Sequence, residues 1–141
     1  MYHVTICAAL PVAAGAAAAE QLTLYSVAKG DHFVELGQEG GAGNMTLWRS
    51  DIEDEQGDKL GTGAGVCTRL DAAGNHMCNL TIDHDGHGTL IVSGVQVVEP
   101  ATATLTIVGG TGDYQGATGT VGSTPVEDRA RFRYEIDYRT D

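Results

Sequence analysis

Residues Gly109 to Gly119 read GGTGDYQGATG and follow the alternating run Thr102 to Val108. Five of these eleven residues are glycine, a density that no packed helix or ordinary strand interior favours. Glycine loses more backbone entropy on folding than any other residue, so a cluster marks positive φ, a bulge or a close backbone approach. Placed between two strand patterns, it predicts a tight, kinked corner in a curved or closed sheet.

The rest of the chain agrees with a β fold. At 141 residues it makes one domain with one core. Only 6% of residues are aromatic and 20 are Gly, so that core must come from Val, Ile, Leu, Thr and Ala. Candidate strands run over 22–28, 32–36, 45–53, 60–70, 76–83, 89–98, 102–108, a short stretch from Thr118, and 129–138. Lys29-Gly30-Asp31 reads as a turn and 38–44 as a loop. The last strand alternates best: Ala130, Phe132, Tyr134, Ile136 and Tyr138 share one face, Arg131, Arg133, Glu135 and Asp137 the other. Seven or eight antiparallel strands without a helix give a sandwich or an up-and-down barrel, and the strand glycines favour the barrel. Gly63, Gly65 and Gly94 would make room inside it, while Leu90, Val92 and Val95 would fill it.

A formal charge of −11 leaves no basic face for phosphate, which argues against nucleic acid as a partner. Met1 to Ala19 carry no Lys, Arg, Asp or Glu and end in Ala16-Ala17-Ala18-Ala19 before Glu20. This reads as a signal peptide (1–19) before a single domain (20–141), and predicts a secreted or periplasmic protein. An ordered N-terminal segment is the rival reading; the stretch is short and Ala-rich for a membrane span.

Cys67 and Cys78 flank the turn Asp71-Ala72-Ala73-Gly74 symmetrically. If Leu70 faces Asn75, then Cys67 faces Cys78, and opposed residues of an antiparallel pair lie within disulfide reach. The alternatives are two buried thiols or a catalytic Cys67. Asp83-His84-Asp85-Gly86-His87 contains good metal ligands, but no further ligand cluster accompanies it, so a polar hairpin tip is expected and no metal. Tyr25, Phe33, Trp48 and Tyr134 are candidates for a cavity lining.

Three stretches together resemble the allene oxide cyclase and dirigent-protein superfamily. Lys59-Leu60-Gly61-Thr62-Gly63-Ala64-Gly65-Val66-Cys67 is similar to a strand of the plant cyclases, and Asp85 to Gly94 to their next hairpin. Gly109 to Gly119 matches the glycine turn common to both branches. The two cysteines and the leader look most like small secreted bacterial members. The resemblance implies an eight-stranded antiparallel barrel, a homo-oligomer (trimer or dimer), and an apolar cavity for a small hydrophobic molecule. It implies chemistry by confinement, without a cofactor: cyclisation or coupling steered by holding one conformer. Gly65 would line that cavity. Where the cyclases carry Glu and Asn, this chain has Ser26 and Ala28, which argues against allene oxide cyclase activity itself. Asp51 sits near an acidic position of the dirigent and bacterial members; it and Ser26 are the candidate catalytic residues. A lipocalin-like carrier, or a secreted structural or interaction module, is the alternative.

Overall fold

The computed structural model describes residues 18–140. Residues 1–17, which hold most of the expected leader and Cys7, lie outside the described residues. Eight antiparallel strands close into a barrel in sequence order, each paired with its neighbours and β8 with β1. They are β1 (Glu20–Val34), β2 (Met45–Glu53), β3 (Lys59–Arg69), β4 (His76–His84), β5 (Gly88–Gln96), β6 (Ala103–Gly110), β7 (Thr118–Val126) and β8 (Arg131–Arg139). Among the described residues no helix is long and apolar enough to cross a membrane.

Period-two alternation sorts side chains between interior and solvent. Leu24 on β1, Ile52 on β2, Ile82 on β4, Leu90 and Val92 on β5, Leu105 and Ile107 on β6, Val121 on β7 and Ile136 on β8 are all buried. Burying each such side chain contributes roughly 1.5–3 kcal/mol, and together they fill one half of the barrel. The predicted alternation of β8 holds, with Tyr134 and Ile136 inside and Glu135 and Asp137 exposed. Val95 instead points outward, being 39% exposed, because it is out of phase with Leu90 and Val92.

Two sequence expectations change. Lys29-Gly30-Asp31 is not a turn: β1 runs through it, with a bulge between Ala28 and Gly30 in its pairing with β2. The inserted residue places both Ala28 and Asp31 along the cavity, with Lys29 outside. The strand from Thr118 is also longer than its apolar residues suggested, since Gly122, Thr124 and Pro125 continue to pair with β8.

The glycine corner closes the filled end. After β6 the chain makes a 3₁₀ turn at Gly112–Tyr114 and drops the Tyr114 ring into the interior, 3% exposed. This corner lies against the β4–β5 hairpin, where the Asp113 N–H donates to the His87 carbonyl. A Cβ at Gly112 would stand 2.5 Å from the His87 carbonyl oxygen, and one at Gly88 would run into that of Thr111. The two turns touch backbone to backbone, and only glycine permits it.

Candidate functional site

The opposite half of the barrel is hollow. A cavity of about 260 Å³ opens among the loops after β1, β3, β5 and β7. Its walls are largely apolar: Trp48 on β2, Leu80 on β4 and Phe132 on β8, with the Cys67–Cys78 disulfide in the side wall. The bond joins β3 to β4 across a directly opposed pair, with Cα atoms 4.1 Å apart. Leu70 donates its N–H to the Asn75 carbonyl and Thr68 faces Met77, as the symmetric hairpin register requires.

Hydroxyls line the deep part. Ser26, Ser50 and Ser123 are all buried there. The Ser50 Oγ has no hydrogen-bond partner among the described residues. The Tyr134 phenol is pushed up to about 12 by burial, an effect the neighbouring Ser26 hydroxyl opposes in part. Tyr134 therefore stays protonated at neutral pH and its hydroxyl is able to donate a hydrogen bond. Asp31, His76, Gln96 and Arg129 stand where the cavity meets the loops, Asp31 and Arg129 exposed and His76 and Gln96 half-buried.

Three of the seven candidate catalytic and lining residues, Ser26, Trp48 and Tyr134, border this cavity; a fourth, Gly65, lies behind its wall, beneath the Trp48 ring on the neighbouring strand. The other three do not border it. Asp51 is on the outer surface, its carboxylate 3.3 Å from Lys29 Nζ and 3.1 Å from Lys59 Nζ. The Lys59 hydrogen bond is the main cause that holds its carboxyl below the usual range. The reason is parity: Trp48, Ser50 and Ile52 point inward, so Asp51 between them cannot. Tyr25 is likewise outside, with the Arg131 guanidinium 4.0 Å above its ring centre. Phe33, near the end of β1, is 61% exposed and lies beyond the lining.

Sequence reasoning missed Ser50, His76 and Arg129. The same parity would have found the first two, since Ser50 is in phase with Trp48 and His76 with Cys78. Arg129 sits in an irregular loop and has no such mark. The glycines expected to make room are occupied by protein: Gly63 lies against Ser50 and Ile52, Gly65 against Trp48, and Gly94 against Leu105.

At the filled end a second polar group surrounds the plug. His84 Nδ1 lies 2.7 Å from the Tyr114 hydroxyl and His87 Nδ1 3.0 Å from Asp113. The Tyr138 hydroxyl donates to Glu20 at 2.6 Å, and this carboxylate contact raises the Tyr138 phenol strongly. No group of three or more metal-ligating side chains occurs among the described residues.

Residues 21–137 match the profile of the allene oxide cyclase barrel-like domain. Among solved structures the chain is similar to a pyocyanin demethylase, at 23% identity and TM-score 0.74, covering 84% of this chain and 99% of that one. It is similar also to the pterocarpan synthase dirigent protein GePTS1, at 18% identity and TM-score 0.73, covering 91% and 88% of the two chains. The Diels-Alderase AbmU from Streptomyces koyangensis aligns at 19% identity and TM-score 0.67, over 86% of this chain and 64% of that one. No curated protein sequence matches. These likenesses carry the fold, and the profile match over most of the sequence places the chain in the allene oxide cyclase barrel-like family.

Proposed function

We propose that this barrel confines one small, ring-bearing apolar molecule in its open half and steers its cyclisation, coupling or isomerisation without a cofactor. The observation that carries this reading is the open cavity with apolar walls at one end of a barrel whose other end is filled, with the Ser26 and Ser123 side chains and the Tyr134 phenol converging on it. A barrel built only as a scaffold would fill both halves alike. The cavity is near the small end of ligand sites, which begin at about 300 Å³, so the ligand is compact. Trp48 and Phe132 favour a flat ring, and the protonated Tyr134 would stabilise negative charge developing on a ligand oxygen.

The second reading is a carrier. It is favoured by the absence of a carboxylate among the deep lining residues, where hydroxyls alone stand. A carrier and a cyclase share the binding step and differ in turnover. The Cys67–Cys78 bond suits an oxidising compartment, and with the apolar stretch at 1–19 it supports secretion. Exposed outward-facing Leu47, Ile91 and Val95 support association of copies into a dimer or trimer.

Trp48 is the only tryptophan, so its emission reports the cavity directly. Titration of the purified chain with small aromatic probes should give saturable quenching, weakened about 2- to 10-fold by Tyr134→Phe for oxygen-bearing probes. No saturable response to any ring compound would overturn the reading. Bias in the product ratio of a phenoxy-radical coupling run with the protein separates a steering barrel from a carrier, which leaves that ratio unchanged.

A further inference from the structure

Resting on that cavity, we propose that its mouth is a recognition site for an acidic hydroxyl: Arg129 holds the ligand's anionic oxygen and His76 Nε2 takes its proton. The ligand class is then a small apolar ring bearing an acidic phenol or enol.

The tautomer of His76 follows from one hydrogen bond. Its Nδ1 lies 2.7 Å from the Gly74 carbonyl oxygen, and a carbonyl can only accept. Nδ1 therefore carries the proton, and in the neutral ring Nε2 is left as a bare acceptor. The turn that supplies this carbonyl is itself pinned, since Asp71 Oδ1 accepts from the Gly74 and Asn75 N–H groups at 3.0 and 3.1 Å. His76 heads β4 in phase with Cys78 and Leu80 and borders the cavity. It is thus a base of fixed tautomer at the border of the cavity.

Arg129 is presented at unusual backbone expense. Glu127, Asp128 and Arg129 have φ of 49°, 53° and 70°, and left-handed non-glycine residues cost of order 1–2 kcal/mol each. Such runs persist where the surroundings impose them, often beside a site of function. The loop's Glu127 is engaged by Arg131 at 3.2 Å, whereas Arg129 makes no ion pair among the described residues. A guanidinium that borders a largely apolar cavity and is in no ion pair among the described residues is a ready anion partner. Other ionisable groups around this end include Asp31 on β1, Glu127 and Asp128 beside Arg129 in its loop, Glu99 in the loop after β5, Arg69 on β3, which faces His76 across the pair, and Asp71 in the turn. Arg69 is occupied with the Asp71 and Ala72 carbonyls.

The step is a proton transfer. The ligand O–H bond breaks, its electron pair stays on oxygen, and an N–H bond forms on Nε2. The oxyanion rests on Arg129, and the proton returns on release. No other reactant is needed.

Para-nitrophenol and para-nitroanisole test this, being the same ring with and without the acidic proton. Binding is read from Trp48 quenching and ionisation from the visible absorbance of the phenolate. At a pH below the free phenol's own pKa, the bound phenol should show the phenolate spectrum. Arg129→Gln, an exposed and structurally mild change, should weaken para-nitrophenol about tenfold or more and para-nitroanisole by much less. His76→Phe should remove the bound phenolate spectrum while para-nitroanisole still binds. A bound phenol that stays neutral, or equal phenol affinity in the wild type and Arg129→Gln, overturns the assignment and leaves the cavity reading standing. Binding of neither probe overturns both.

Discussion

The Trp48 indole lies over Gly65, its partner across β2 and β3, so closely that a Cβ on that glycine would stand 2.5 Å from Cζ2. Leu80 confines the same spot from the β4 side, 3.0 Å from that Cβ. The ring is therefore seated by a missing side chain, and its placement shapes the cavity. Gly65→Ala should push the indole towards the ligand space. The expected cost is about 1–3 kcal/mol, typical of overpacking, with a shifted Trp48 emission and weaker probe binding. Denaturant melts and the quenching titration check both; unchanged emission and affinity would refute the seating.

The disulfide should contribute to stability through the loop it closes. Cys67 and Cys78 are 11 positions apart in the sequence, and bonds closing short loops are worth about 2–4 kcal/mol. Reduction, or Cys67→Ser with Cys78→Ser, should lower Tm accordingly. Because the bond is in the cavity wall, probe affinity should fall as well. A reduced chain with the oxidised chain's Tm would contradict this.

The pairing of these two cysteines was legible because a symmetric hairpin around Asp71–Gly74 fixes the register, and register alone decides which residues meet. The barrel was legible for a similar reason: alternation, turn residues and the glycine corner all point to closure. What failed was the reading of sides. Asp51 was a candidate because it sits near an acidic position of the dirigent and bacterial members, yet its neighbours Trp48 and Ile52 already commit it to the outer face. Tyr25 falls to the same rule beside Leu24 and Ser26. The bulge after Ala28 could not be read from Lys29-Gly30-Asp31, since turns and bulges use the same residues. Arg129 depends on a loop conformation imposed by the closed barrel, for which its tripeptide carries no local preference.

Asp51 is tied by its position to the lysines. Asp51→Asn removes the carboxylate that Lys29 and Lys59 share, leaving two ammonium groups facing each other. A small loss of stability is expected, along with loss of the acid sensitivity that a depressed carboxyl confers. That contribution is present above the ordinary value of 3.8 and declines as pH falls through the lower folded value. Probe affinity should not change. A large drop in affinity would return Asp51 to the cavity chemistry.

His84 gives the plug its own pH dependence. Tyr114 is held above its usual pKa, mainly by burial, so its hydroxyl keeps its proton, and it is hydrogen-bonded to His84 Nδ1 at 2.7 Å. Burial, then the nearby His87, lowers His84 below its ordinary 6.5, while Asp85 and Asp113 oppose this. The folded chain thus keeps His84 neutral where the unfolded chain binds a proton. Stability should decline as pH falls through 6.5 towards the lower folded value, and level off for this group below it. The window is distinct from that of the depressed Asp51 and Asp71 carboxyls, which start from 3.8. His84→Gln retains a hydrogen-bond partner for Tyr114 and cannot titrate, so it should flatten the upper part of the profile. Chemical denaturation of both chains across this range measures the difference, and parallel profiles would show that the plug does not respond through His84.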